Sequence, residues 1–85
     1  MLNNISKEEV ELSVCTQWKQ LGMDPFERVV HFTKITLDWA SQSKENTLFL
    51  LKMFVKLVQN TTFDDIAEKE DVLAGLDMLI EARDF

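Results

Sequence analysis

KENTLFLLKMFVKLVQ, residues 44–59, is the stretch that decides how this chain folds. Projected at about 100° per residue, Glu45, Lys52, Lys56 and Gln59 fall on one narrow polar edge. Leu48, Leu50, Leu51, Met53, Phe54, Val55, Leu57 and Val58 cover most of the remaining circumference. A helix apolar over so much of its perimeter is normally enclosed by others, so this segment is the expected spine of a bundle. Ser43, at the end of the polar break Ser41-Gln42-Ser43, supplies its N-cap. A chain of 85 residues has little means of enclosing one helix completely, and that surplus predicts a homodimer.

Immediately upstream, residues 25 to about 41 read as a helix opened by the Asp24 cap and by Pro25 in its first turn. Its projection separates three surfaces. Phe26, Val29, Val30, Thr33, Leu37 and Ala40 form the main apolar face, and Glu27, His31, Lys34, Asp38 and Ser41 form a polar stripe. Phe32, Ile35 and Trp39, at i, i+3 and i+7 with Arg28 beside them, line a third side that needs a partner of its own. That partner is either another helix of the chain or another molecule. Because aromatic and Arg anchors carry much of the energy at interfaces, Arg28, Phe32, Ile35 and Trp39 are the expected protein interface.

Nearer the N-terminus, Ser6-Lys7-Glu8-Glu9 is a capping box, and Ile5 with Val10 has the spacing of a hydrophobic staple. Val10, Val14, Trp18 and Leu21 then share one helix face, and Gly22 is placed to close the helix in a left-handed conformation. On the other side of the spine, Asn60-Thr61-Thr62 ends that helix, and Thr62 with Asp65 reads as a weaker cap. The phase then slips: Phe63, Ile66 and Ala67 point one way, whereas Val72, Leu73, Leu76, Leu79 and Ile80 point elsewhere. The reading is a short helix, a break, and a final helix from about Asp71 to Ala82, with a single kinked helix as the alternative. The fold class is therefore all-α, a compact bundle of four or five short helices in one domain, residues 1–85.

Composition agrees with this architecture. Hydrophobic residues make up 46% of the chain, well above the range in which chains stay disordered, and two glycines and one proline are too few for a turn-rich β fold. One cysteine and one histidine exclude a disulfide framework and a structural zinc site built within one chain. Met1-Leu2-Asn3-Asn4-Ile5 lacks the basic start and apolar run of a secretory signal, and Leu48 to Val58 is too short to span a bilayer. The expected location is cytoplasmic, with no membrane partner.

Charge divides the chain sharply. Residues 1–60 carry equal numbers of acidic and basic side chains, so the whole net charge of −6 lies in residues 61–85. Asp64, Asp65, Glu68, Glu70 and Asp71 form the expected acidic docking surface, against a solubilising role and favourable interaction with helix N-termini as the plainer explanation. Direct nucleic-acid binding is disfavoured, since Lys19, Arg28, Lys34, Lys44, Lys52 and Lys56 are diluted by acids.

Catalytic chemistry finds little support. His31 and Cys15 lie on different predicted helices with no third group placed to orient the histidine. Asp64 and Glu68 share a helix face, yet no calcium loop or second ligand motif accompanies them, and Gly22 and Gly75 are too isolated for a phosphate loop. The expectation is a small acidic, non-catalytic module that binds another protein, without a cofactor or metal. A nucleic-acid-mimicking inhibitor using the acidic C-terminal region is the first alternative, and a small carboxylate metal-dependent enzyme the second.

Overall fold

A computed structural model describes residues 5–83, so the Met1 to Asn4 part of the chain start lies outside the described residues. Four helices follow one another: α1 Lys7–Trp18, α2 Pro25–Ala40, α3 Lys44–Gln59 and α4 Ile66–Arg83, with no strand among the described residues. Each of the first three starts at the cap its sequence announces. The Glu9 amide donates to Ser6 Oγ at 3.2 Å, the Phe26 amide to an Asp24 carboxylate oxygen at 3.2 Å, and the Asn46 amide to Ser43 Oγ at 3.0 Å.

α3 is the spine. α1, α2 and α4 all pack against it, and its exposed residues are Lys44, Glu45, Lys52, Lys56 and Gln59. Leu50, Met53, Phe54 and Val58 are buried beneath these neighbours. Three helices of the same chain thus cover much of α3, with Leu48, Leu51, Val55 and Leu57 left half-buried.

Two tryptophans join α1 and α2 to this spine. The Trp18 ring stacks on Phe32 of α2 at 5.9 Å and packs beside Phe54 of α3 at 6.5 Å. Its Nε1 donates to Thr61 Oγ1 at 3.0 Å, so the indole is buried without stranding its polar atom. Trp39 meets Phe49 edge-on at 6.2 Å and donates from Nε1 to the Ile5 carbonyl at 3.1 Å. The α2–α3 junction is closed by Asn46 Nδ2 donating to the Trp39 carbonyl and Thr47 Oγ1 donating to the Ala40 carbonyl.

Three local expectations are corrected. α1 ends at Trp18, and Gly22 does not take the left-handed conformation; Gln20 and Leu21 instead turn the chain by donating to the Gln17 carbonyl. α4 is one helix from Ile66 to Arg83, where the sequence predicts two pieces. The phase slip that suggested a break disappears because Ile66, 69% exposed, takes no part in the core. The buried line of α4 runs through Lys69, Val72, Leu73, Leu76 and Ile80. Its cap is Asp65 rather than Thr62: the Ala67 amide donates to Asp65 Oδ1 at 2.9 Å. Lys69, half-buried, extends over the Phe63 ring and donates to the Gln59 carbonyl, tying the start of α4 to the end of α3.

The Cα envelope measures 37 × 32 × 17 Å, so in its thin direction the molecule is only about two helix layers deep. Outer helices of such a slab have backs that nothing in the chain covers.

Candidate functional site

The expected interface on α2 is taken apart by the structure. Phe32 and Trp39 are 0% and 2% exposed and belong to the core, so they are not available to a partner. Ile35 alone of that stripe reaches the surface, and Arg28 is half-buried, its guanidinium over the Trp18 ring at 5.7 Å and its Nε donating to the Met23 carbonyl. The structure thus groups Arg28 and Phe32 around Trp18, and leaves Ile35 outside that group.

What the sequence assigns to the core is instead outside. Phe26, Val30 and Leu37, with Thr33 between them, follow at i, i+4, i+7 and i+11 along the exposed side of α2, and Leu37 is 57% exposed. Only Ala40 and, in part, Val29 of that predicted face are covered. The helix is rotated about its axis relative to the sequence expectation because burying Phe and Trp removes more apolar surface than burying Val and Leu. A difference of roughly 100 Å² is worth about 2.5 kcal/mol at ~25 cal/mol/Å². Thr36 lies on the buried side at little cost, since its hydroxyl donates to the Phe32 carbonyl one turn back.

The exposed stripe borders a cleft. α2 and α4 both rest on α3 and scarcely touch each other, leaving between them a space of about 310 Å³. Its floor is Leu50, Leu51 and Phe54 of α3, one wall is Thr33, Leu37 and Ala40 of α2, and the other is Leu79 and Arg83 of α4. Arg83 donates from Nη1 to the Leu79 carbonyl, which holds its guanidinium along the rim. The lining is mainly aliphatic and aromatic, with the hydroxyl side chains of Thr33, Ser41 and Thr47 and the single charged group of Arg83.

Sequence reasoning missed Leu37, Phe26, Val30, Leu79 and Arg83 as site residues. The signal available was the competition between two apolar sides of α2: the side carrying Phe32 and Trp39 is the heavier, so it claims the core and leaves the lighter side at the surface.

The acidic residues are gathered at one end of the molecule without sharing one face. Asp64, Asp65, Glu68, Glu70 and Asp71 are all exposed, but Glu68 and Glu70 project about 160° apart around α4, and Asp65 is engaged as the helix cap. Among the described residues no group of three or more His, Cys, Asp or Glu side chains converges as a metal site. Cys15 lines a second cleft between α1 and the outer edge of α3 with Glu11, Phe49, Lys52, Met53 and Lys56; burial pushes its thiol pKa up, and nearby Glu11 adds to the shift. A thiol shifted that way is poorly suited to nucleophilic work. His31 sits edge-on to Phe32 at 5.1 Å. Among the described residues, no helix is long and apolar enough to cross a membrane.

Comparison with known proteins adds no relatives: no family model matches the chain, and no curated protein or solved structure shows a significant match.

Proposed function

We propose that this protein is a small non-catalytic interaction module that binds another protein through the exposed α2 stripe and the cleft beside it. The observation that carries this reading is the juxtaposition of Phe26, Val30 and Leu37, all exposed, with the apolar cleft between Leu37 and Leu79. Contiguous apolar surface on a domain this small is a liability in water unless it serves recognition. The negatively charged end of the molecule supports the same reading, because unpaired carboxylates at Asp64, Glu68 and Asp71 favour a partner with a basic patch and speed its approach.

A homodimer is a weaker form of this proposal. Phe32 and Trp39, on which one sequence argument for it rests, are buried within one chain, and the apolar perimeter of α3 is covered in part. The α2 stripe is one exposed apolar surface open to a second copy, and Leu12, Ile66 and Met78 are exposed elsewhere.

The test is capture from native lysate with the wild-type chain, Leu37→Glu and Leu79→Lys side by side. The expected result is at least one protein held by the wild type and lost by both variants. Identical sets of captured proteins on all three would remove the cleft as a binding surface.

A further inference from the structure

We infer that two copies of the chain pair through the groove between α1 and α3, the acidic wall of each on the basic wall of the other. This pairing uses none of the residues assigned to partner binding above, and it leaves the α2–α4 cleft of both copies open.

Two hollows along the α1–α3 seam share Glu11, Cys15 and Phe49 and so form one continuous groove. The two helices run parallel, since Lys7 pairs with Glu45 where both begin and Trp18 reaches Thr61 just past the end of α3. Their walls differ in sign. The α1 wall presents Glu8 and Glu11, the α3 wall presents Lys52 and Lys56, and Cys15, Phe49 and Met53 lie between them. All four of these charged side chains are exposed, and none forms an ion pair among the described residues. Lys7, the remaining charged group of the groove, is engaged by Glu45 and lies over the Phe49 ring. Leu12, which also lines the α1 wall, is 70% exposed.

Walls of opposite sign are complementary to themselves. A twofold axis along the groove lays each copy's α1 over its partner's α3, so the same contact between glutamates and lysines is made twice. With Lys7 and Glu45 level, Glu11 stands about 4.5 Å short of Lys52 along the axis at ~1.5 Å per residue, an offset that a lysine side chain spans. An acidic partner is opposed by one wall and a basic partner by the other, so a surface carrying both signs fits best, and the chain itself has one. The net charge of −6 lies in residues 61–85, outside the groove lining, and physiological salt screens exposed charges more than about 8 Å apart. The cleft between α2 and α4 opens about 140° away around α3, so both surfaces are usable at once. The paired face is two helices wide and about 18 Å long, the length of α1, which is less than a standard interface. Its dissociation constant is therefore on the order of 100 µM, and the chain is a monomer at the low-micromolar concentrations of a thermal melt.

Sedimentation equilibrium of the full chain from roughly 10 µM to 1 mM tests this, with Glu11→Lys, Lys52→Glu and Leu37→Glu alongside. The wild type is expected to dimerise. Glu11→Lys and Lys52→Glu each place like charges across the interface, and each alone weakens the dimer at least ~10-fold. Mixed with each other, the two variants associate again, because Lys at position 11 of one meets Glu at position 52 of the other and the second contact is equally matched. The double variant Glu11→Lys/Lys52→Glu likewise dimerises within about threefold of the wild type, and Leu37→Glu leaves the dimer intact. Circular dichroism checks that the variants, all at exposed positions, stay helical. A wild-type chain that stays monomeric to 1 mM overturns the inference, as does a dimer indifferent to Glu11 and Lys52. Failure of the mixed variants to associate overturns it as well, and loss of the dimer on Leu37→Glu moves self-association to the α2 stripe instead.

Discussion

The two apolar sides of α2 are near equals in sequence and opposites in the structure. One carries Phe32, Thr36 and Trp39 and is fully enclosed by α1 and α3; the other carries Phe26, Val30, Thr33 and Leu37 and faces solvent and the cleft. The difference teaches that in a slab two helices deep, a helix with two apolar sides buries the heavier and offers the lighter. The buried side is then a matter of stability and the open side, on the proposed reading, one of recognition. Substitutions on the two sides should separate those properties cleanly.

The largest expected effect is on the buried side. Phe32→Ala removes the ring that stacks on Trp18 and leaves a void where 0% of the side chain meets water. A loss of about 3–5 kcal/mol is expected, measurable as a lowered urea midpoint at unchanged slope. In a domain of this size that takes most of the total stability, so partial unfolding in buffer is also consistent. A loss below about 1 kcal/mol would mean that Phe32 is not the core residue described here.

This contrast marks how much was legible in advance. The all-α class, the spine at residues 44–59 and the caps at Ser6, Asp24 and Ser43 follow from local chemistry, in which a side chain reaches its own helix and nothing distant intervenes. The rotation of α2 does not, because it is decided by which neighbours are present: Phe32 stacks on Trp18, which in turn packs beside Phe54, and both lie on other helices. The continuity of α4 escaped for a related reason. Ile66 looks like a core residue by type, and only the packing shows that it is exposed, so an apparent break in phase had no structural counterpart. The cleft was not legible because it is bounded by three helices at once.

Two smaller substitutions sharpen the comparison by acting on backbone rather than on either side of α2. Ser43→Ala removes the hydroxyl that accepts from the Asn46 amide at the start of α3, and about 1 kcal/mol of stability should go with it in chemical denaturation. Gly75→Ala acts the other way. Gly75 lies in mid-α4, exposed, with nothing within 4 Å of the position an added Cβ would occupy, so the methyl group costs no contact. Relief of the glycine entropy penalty should raise stability by about 0.5–1 kcal/mol, read as a higher melting temperature. A destabilised Gly75→Ala would show that α4 is not a regular helix at that point, and would restore the two-piece reading of residues 63–82.

The smallest expected effect is the most demanding for the comparison. Leu37→Glu places a charge on the open side of α2, at a residue already 57% exposed, and no buried polar group is created. Its effect on unfolding should stay within about 0.5 kcal/mol, the range of surface substitutions away from special features, while binding at the cleft is lost. Thermal denaturation of the isolated chain measures the first quantity, and it is the one that can break the argument. Were Leu37→Glu to cost as much as Phe32→Ala, Leu37 would have to be covered in solution, either by a second copy or by a different rotation of α2. A dilution series distinguishes these, because cover by a second copy makes the melting temperature depend on protein concentration and a rotated helix does not.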